Sequence, residues 1–301
     1  MNRLFKAIQL AAMIIILAGC SQRPANFSAD RLTQLRATID SIIASHEGKV
    51  GVGLIAGHDT LAIGDSLRLP LMSAFKLHIA IAVLDKGLSP DSVIEMAASD
   101  LHPDTWSPLR DSTGIRDISI PVGRLLYYSV CRSDNNACDK LIELAGGIAE
   151  VEKCAKKLTD KPFALTETEH SMYEDHERTY RNWSSPLALC EIMEAVYSGR
   201  ALRPAETQYL TGLLSDSSTG REKIAGGVPK EAFLGHKSGL SFRTPEGIRI
   251  TSADVAAIRL RDGRTAYLSI VVKDTPETDE ETARLFKDIT EAVYAQLPDR
   301  E

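Results

Sequence analysis

Ser73 and Lys76 are three positions apart, at the start of a segment with helical patterning over residues 74–85. On a helix this spacing puts both side chains on one face, one turn apart. A serine hydroxyl becomes a nucleophile beside a base, and a neighbouring amine can supply that base or relay a proton to one. The amino end of a helix adds a positive dipole and free N–H groups. The pair therefore predicts a serine nucleophile, and the alternative is a helix cap followed by a surface lysine.

Two further triplets place polar groups at the ends of predicted elements. Residues 133–135 (Ser-Asp-Asn) lie between two apolar helical segments, and residues 237–239 (Lys-Ser-Gly) lie on a predicted strand. Taken singly, the first triplet is also typical of an Asx turn, and the second of an exposed strand edge with a bulge at its glycine. Chance is a poor explanation for all three motifs in this order.

The order S-x-x-K, S-D-N, K-S-G resembles the motif set of serine β-lactamases and penicillin-binding proteins. Residues 71–78 (LMSAFKLH) resemble the nucleophile helix of class A β-lactamases, and the step of sixty residues from Ser73 to Ser133 is the step of that class. Residues 131–139 (CRSDNNACD) and 236–239 (HKSG) resemble its extended, cephalosporinase-like branch. The resemblance covers residues 28 to 298.

The resemblance implies a deacylating glutamate thirty-six residues after Ser133, which is Glu169. Glu167 is the alternative, because Thr166-Glu167 is a shifted copy of Thr168-Glu169. Both lie in a polar stretch, residues 160–186, which is long enough to predict a functional loop. In the class, the fourth residue after the glutamate is commonly an asparagine that helps to hold the hydrolytic water, whereas here it is Tyr173.

By the same resemblance, Ser73 attacks the lactam carbonyl and its proton passes to Lys76, or through a water to Glu169. The class places five residues in catalysis, namely Ser73, Lys76, Ser133, Glu169 and Lys237. Substrate binding falls to a second set, in which the N–H of Leu240 joins that of Ser73 in holding the oxyanion: Asn135, Ser238, Gly239, Leu240, Trp106 and Lys223. Arg221 is the alternative to Lys223 as the second cation near the substrate carboxylate.

Two other functions remain open. A D-alanyl-D-alanine carboxypeptidase or another penicillin-binding protein shares the three motifs but lacks the deacylating glutamate, so Glu169 separates the two hypotheses. A non-catalytic envelope lipoprotein that retained the fold predicts lost motif residues, and Ser73, Lys76, Ser133 and Lys237 are all present. We therefore expect a class A serine β-lactamase that hydrolyses penicillins or cephalosporins and gives antibiotic resistance.

The first nineteen residues have the pattern of a signal peptide. Two basic residues precede an apolar run over residues 7–17, which is shorter than the 18 to 20 residues that span a bilayer. The run ends in Leu-Ala-Gly-Cys20, which resembles a bacterial lipobox; the alternative is an ordinary signal with a chance cysteine. We expect a lipidated Cys20, a polar tether over residues 20–27, and a periplasmic protein anchored to the inner or outer membrane of the cell envelope.

The elements that must position these residues predict a mixed α/β protein. Strands are predicted near both termini (50–56, 60–63, 248–252, 254–260 and 265–272), and helices in the middle. We therefore expect residues 28–65 and 214–301 to form one α/β domain, with residues 66–213 inserted as an all-helical domain. The resembled fold adds an antiparallel sheet flanked by helices. The Gly51-Val52-Gly53 stretch does not predict a nucleotide loop, because another strand follows it instead of a helix.

Composition excludes several classes of partner. The chain has 301 residues with a net charge of −6, and it lacks the basic clusters that nucleic-acid binding needs. Its seven histidines are scattered and no CxxC occurs, so we expect no metal and no other cofactor. Export permits disulfides, yet buried free thiols are the simpler prediction for the four cysteines after Cys20. We expect a monomer that meets a small-molecule substrate and, through its lipid, a membrane.

Overall fold

The computed structural model describes residues 29–296. The predicted signal peptide, the tether and Cys20 lie outside these residues. Within them no helix is both long and apolar enough to cross a membrane.

The described strands fall into one large sheet and two small ones. In chain order they are β1 (Lys49–Ala56), β2 (Asp59–Ile63), β3 (Leu69–Pro70), β4 (Val93–Met96), β5 (Ile118–Pro121), β6 (Phe163–Ala164), β7 (Trp183–Ser184), β8 (Phe233–Leu240), β9 (Arg249–Arg259) and β10 (Thr265–Thr275).

The described residues form ten α-helices, eight of which lie between β2 and β8. In chain order they are α1 (Ala29–Ile43), α2 (Lys76–Asp85), α3 (Pro108–Thr113), α4 (Val122–Cys131), α5 (Asn135–Ala145), α6 (Ile148–Ala155), α7 (Glu169–Glu174), α8 (Pro186–Tyr197), α9 (Pro204–Ser215) and α10 (Asp279–Gln296). Short 3₁₀ helices include Met72–Phe75, His176–Arg181 and Ile224–Gly227.

The large sheet has the strand order β2-β1-β10-β9-β8, and its neighbouring strands are antiparallel. The mixed α/β class with an antiparallel sheet flanked by helices is therefore confirmed. One prediction was wrong: residues 248–252 and 254–260 were expected to form two strands, and they form the single strand β9. The reason is that β9 pairs with β10 from Arg249↔Thr275 to Arg259↔Thr265. Ala253, between the two predicted strands, is paired with Val271, so the strand continues through it.

Both faces of this sheet are covered, which explains why its central strands β1, β9 and β10 are buried along most of their length. Along β9, Ala253, Val255 and Ala257 belong to the core shared with the helical segment. The alternate residues Ala256 and Ile258 pack in a second core with α1 and α10. Side chains point to opposite faces along a strand, so a strand buried on both faces has no polar alternation.

Glycine in β1 allows a helix to touch the sheet. A Cβ on Gly53 would lie 2.7 Å from the carbonyl carbon of Pro186, at the start of α8. The side chain of Ser269 on β10 fixes the same point, because its Oγ donates a 2.8 Å hydrogen bond to the Pro186 carbonyl. The Gly51-Val52-Gly53 stretch is thus a packing surface inside a strand.

The segment between residues 66 and 213 is mostly, but not entirely, helical. The short strands β3 to β7 fall inside it, and they are too short for a two-residue period to be visible in the sequence. Helix α9 was not predicted, and it continues past residue 213 to Ser215. Its start is marked by Pro204 at the first helical position, a favoured place for proline.

The four cysteines of the described chain carry free thiols, as expected. Cys131, Cys138 and Cys190 are buried, and Cys154 is partly exposed. Burial raises the pKa of the Cys154 thiol to about 11, with Asp85 adding to the shift.

His78 on α2 is buried in the helical core beside Phe163, and burial lowers its pKa to about 4. The folded protein therefore binds this proton more weakly than the unfolded chain, so stability falls as pH drops from about 6.5 to about 4. The full difference corresponds to about 3 kcal/mol.

We predict that His78→Leu will be nearly as stable as the parent at pH 7 and clearly more stable at pH 4.5. Urea unfolding of both proteins across this pH range measures the difference. Parallel stability curves for the two proteins would contradict the assignment.

Candidate active site

The nucleophile lies in a tight turn that leads into α2. Ser73 is in the 3₁₀ helix Met72–Phe75, and the α-helix begins at Lys76, two residues later than predicted. The Oγ of Ser73 is 2.8 Å from the Nζ of Lys76. Met72, directly before the serine, has a left-handed φ of 40°, which L-residues rarely adopt. The turn therefore has a strained backbone at Met72, and it places the hydroxyl of Ser73.

Lys76 is fully buried and has four oxygen atoms within hydrogen-bond distance of its Nζ. They are Ser73 Oγ at 2.8 Å, Ser133 O at 2.8 Å, Asn135 Oδ1 at 2.7 Å and Glu169 Oε1 at 2.8 Å. An ammonium has three hydrogens, so it cannot donate to all four. The hydroxyl of Ser73 can act as a donor instead, and Glu169 Oε1 lies 3.4 Å from its Oγ. A proton can therefore move among these three groups.

The Ser-Asp-Asn triplet lies between α4 and α5, as predicted. Ser133 has a left-handed φ of 56°. Asp134 is buried and caps α5 by accepting the N–H of Ala137 at 2.8 Å, and it also accepts the N–H of Leu109. Burial raises the pKa of Asp134, and these hydrogen bonds oppose the shift. The Asx turn named as the alternative for this triplet is thus present at Asp134, whose carboxylate anchors the turn.

Glu169 is the first residue of α7, within the polar loop that was expected to be functional. The carboxylate of Asp139, on α5, accepts the backbone N–H groups of Glu169 and His170, both at 2.8 Å. Burial and the neighbouring Glu169 raise the pKa of Asp139 to about 7. Asp139 belongs to the motif over residues 131–139, but its role could not be predicted from it, because the loop that it holds lies thirty residues away.

Of the two candidate glutamates, only Glu169 reaches the nucleophile. Glu167 points to the loop itself: its Oε1 is 3.1 Å from Arg181 and its Oε2 accepts the hydroxyl of Ser171 at 2.7 Å. Glu167 therefore braces the loop. Tyr173, one turn further along α7 than Glu169, is nearly half exposed.

Strand β8 brings the Lys-Ser-Gly triplet to the opposite side of the nucleophile. The Nζ of the buried Lys237 donates to Ser133 Oγ at 3.1 Å and to the carbonyl of Ser238 at 2.9 Å. Burial, and to a smaller extent the positive charge of Lys76, lowers the pKa of Lys237 to about 7. The hydroxyl of Ser238 donates to the carbonyl of Thr219 at 2.9 Å.

Gly239 lets β8 touch the turn that carries the nucleophile. A Cβ at this position would lie 2.3 Å from the carbonyl oxygen of Leu71 and 2.9 Å from the backbone nitrogen of Ala74. The β8–β9 register shifts between Phe233 and Gly235, so Gly239 does not mark a bulge. Close approach, not strand irregularity, explains this glycine.

A cleft of about 320 Å³ opens between β8 and the helical segment. Predicted site residues line it, namely Ser73, Trp106, Ser133, Asn135, Lys223, Ser238, Gly239 and Leu240. The indole of Trp106 is 60% exposed and donates its N–H to the carbonyl of Arg132. The amide of Asn135 donates to Thr105 Oγ1 at 2.7 Å.

The two candidate cations near the carboxylate end lie in different places. Lys223 lines the cleft, but its buried Nζ donates to the carbonyls of Gly239 at 3.0 Å and Ala253 at 3.2 Å. Burial lowers the pKa of Lys223. Arg221 donates to the carbonyl of Ser217 and covers the ring of Phe233, away from the cleft. Lys223 is therefore the better placed of the two, although strand carbonyls already hold its ammonium.

Within residues 29–296, no group of three His, Cys, Asp or Glu side chains is arranged to hold a metal ion. The chemistry available from the described residues is that of a serine nucleophile between two lysines and a glutamate.

Comparison with known proteins gives a consistent result along nearly the whole chain. The family model for the β-lactamase enzyme family matches residues 34–297. A β-lactamase of Bacteroides uniformis is 36% identical over 276 residues, which is 88% of this chain and 92% of that protein. The extended-spectrum β-lactamase PER-1 of Pseudomonas aeruginosa is 29% identical over 300 residues, or 98% of this chain and 96% of its own. A crystal structure of a class A β-lactamase from Bacteroides cellulosilyticus has a TM-score of 0.85 at 34% identity, covering 90% of this chain and 99% of that one.

We predict that Gly239→Ala will slow the labelling of Ser73 by a fluorescent penicillin by about 100-fold or more. The new methyl group must push β8 away from the nucleophile turn, and displacements near 1 Å have effects of this size. Timed labelling followed by gel fluorescence measures the rate.

Gly212→Ala is the matched control, because a Cβ on Gly212 in α9 meets no atom within 4 Å. It should leave the labelling rate unchanged and stabilise the fold by about 0.5–1 kcal/mol. Equal labelling rates for the two variants would contradict the role given to Gly239.

Proposed function

The chain belongs to the β-lactamase enzyme family, and from this premise we propose which of its residues carry out each step in the hydrolysis of a β-lactam ring. It is a class A serine β-lactamase, which opens the ring of penicillins or cephalosporins through a serine acyl-enzyme and so gives antibiotic resistance. One observation supports the assignment of these steps most directly: Ser73 Oγ lies 2.8 Å from Lys76 Nζ and 3.4 Å from Glu169 Oε1.

Acylation uses Lys76 and Glu169 as one base. A protonated Lys76 cannot accept a proton, but it can first pass one to Glu169 across their 2.8 Å ion pair. The resulting amine takes the proton of Ser73, and the alkoxide attacks the lactam carbonyl. Each transfer occurs between groups already in contact, so no side chain needs to move.

The tetrahedral intermediate is held by the backbone N–H groups of Ser73 and Leu240. This proposal is supported by the close approach of β8 at Gly239, where a Cβ would lie 3.2 Å from the nitrogen of Ser73.

Ring opening leaves a negative lactam nitrogen that must be protonated. Ser133 donates that proton, and Lys237 replaces it or stabilises the serine oxygen, as their 3.1 Å hydrogen bond supports. Asn135 orients the side-chain amide of the substrate, Ser238 binds its carboxylate with Lys237 and Lys223, and Trp106 forms the apolar wall of the cleft.

Deacylation separates this enzyme from a D-alanyl-D-alanine carboxypeptidase. A serine ester is stable unless a base deprotonates a water near its carbonyl, and a carboxylate in that position accelerates release. Glu169 is buried beside Ser73 while Asp139 fixes its backbone. We therefore assign the general base of deacylation to Glu169.

We predict that Glu169→Gln will accumulate an acyl-enzyme. The variant still acylates, although more slowly, with Lys76 alone as the base, whereas its amide cannot deprotonate the water that releases Ser73. Deacylation should slow by about 10²–10⁴-fold. Intact-protein mass spectrometry after addition of a cephalosporin detects the stable mass increase, and nitrocefin turnover gives the steady-state loss.

Glu167→Gln is the matched control, since it removes a carboxylate two residues away that contacts Arg181 and Ser171. It should turn over within several-fold of the parent. If the two variants exchanged these results, Glu167 would be the base of deacylation. If both variants turned over substrate like the parent, the class A mechanism proposed here would be wrong.

The N-terminal pattern supports a second part of the proposal. The apolar run that ends in Leu-Ala-Gly-Cys20 suits cleavage before Cys20 and lipidation of its sulfur. The mature enzyme then acts in the periplasm, anchored to a membrane of the envelope. We propose that the enzyme acts as a monomer.

We predict that Cys20→Ser will leave the protein unlipidated, so that it moves from the detergent phase to the aqueous phase in detergent partitioning. The hydroxyl cannot receive the thioether-linked lipid. Partitioning that is unchanged by the substitution would contradict the anchor.

A further inference from the structure

A buried pair of side chains, His236 and Asp254, lies directly behind the Lys-Ser-Gly strand. The Nδ1 of His236 is 3.0 Å from Oδ1 and 3.1 Å from Oδ2 of Asp254, and both side chains have no exposed surface. His236 precedes Lys237 on β8, and Asp254 is the register partner of Ser238 on β9. The pair therefore lies under the residues that we assign to the substrate carboxylate.

Asp254 also holds the turn that carries Lys223. Its Oδ2 accepts the backbone N–H of Ile224 at 3.3 Å. The adjacent Lys223 sends its ammonium to the carbonyls of Gly239 and Ala253, one on each strand. One carboxylate thus joins β8, β9 and the turn before the 3₁₀ helix Ile224–Gly227.

The charge of Asp254 acts on two buried lysines. Lys237 and Lys223 are both buried, and Asp254 is the only carboxylate on β8 or β9. Burial lowers the pKa of each lysine, and the charge of Asp254 opposes that shift for both. Other titratable groups also act on the two lysines: Lys76, Cys138 and Glu169 on Lys237, and Glu222, Arg249 and Asp279 on Lys223.

We propose that Asp254 is a positioning residue of the enzyme, which fixes β8 through His236 and Ile224 and keeps the carboxylate-binding end of the cleft cationic. The inference rests on the proposed function, because it concerns the lysines there assigned to the substrate carboxylate. Asp254 itself does not touch the substrate.

A structural role alone makes a different prediction. If Asp254 served only to satisfy His236, its loss would lower stability and reduce activity equally at all pH values. An electrostatic role acts on the lysines, so its loss shifts their titration. The pH dependence of kcat/KM reports groups of the free enzyme and therefore separates the two cases.

Asp254→Asn is the direct test, because it removes the charge and nearly preserves the shape. We expect the alkaline limb of kcat/KM for a cephalosporin to move down by about one pH unit, since an opposite charge nearby shifts a pKa by one unit or more. At a pH above the limb kcat/KM then falls about tenfold, mainly through KM, while at a pH well below the limb of both proteins it changes little. The methyl ester of the same cephalosporin, which lacks the carboxylate, should show a smaller loss.

His236→Asn is the matched control, since an asparagine amide keeps a donor near the Nδ1 position and leaves Asp254 charged. Its alkaline limb should stay within about 0.3 pH unit of the parent. Asp254→Ser is a second neutral variant with the same expected shift, in case Asp254→Asn does not fold. A uniform loss at all pH values, or equal losses for acid and ester, overturns the inference. Failure of the proposed function is distinguishable, because the parent would then show no penicillin labelling of Ser73 at any pH.

Discussion

The site is organised around one buried ion pair, between Lys76 and Glu169. Their side chains are 0% and 2% exposed, and their charged atoms are 2.8 Å apart. A buried charge without a partner is strongly unfavourable, so each of these groups requires the other and the polar atoms around it. Those atoms come from Ser73, from the turn after α4 and from the start of α5. The helix, the turn and the loop are thereby held at one point, where the nucleophile also lies.

The second layer of the site holds backbone rather than substrate. Asp134 fixes the turn of Ser133, Asp139 fixes the start of α7, and Glu167 braces the rest of that loop. Asp134 and Glu167 are buried and Asp139 is partly buried, and the oxygens of all three are satisfied by N–H groups, hydroxyls or an arginine. Hydrogen bonds from these carboxylates to the main chain or the side chains of each loop fix the position of that loop. Large hydrophobic contacts are therefore not needed there.

The sequence predicted the mixed α/β class and eight of the residues that line the cleft, because motif order and spacing survive in the linear chain. Met72, Thr219, Gly220 and Glu222 also line it and were not predicted. It also favoured Glu169 over Glu167 by spacing, which the geometry supports. It could not reveal Asp139 or Asp254, since their partners are backbone groups or residues far along the chain. The single strand β9 was divided in two because short apolar runs carry no signal of where pairing continues. Helix α9 was missed because its polar and glycine residues blur the helical period.

Backbone strain is concentrated at the cleft. Among residues 29–296, three non-glycine residues have left-handed φ angles, and two of them, Met72 and Ser133, border the substrate site. Such conformations are disfavoured by roughly 1–2 kcal/mol per residue, so the fold gives up stability where it arranges its hydroxyl groups. Glycine at position 133 would relieve the strain but would also delete the hydroxyl that we propose as the proton donor. Selection for robustness and selection for turnover therefore oppose each other at this position, and evolutionary gains in thermal tolerance must come from elsewhere in the molecule.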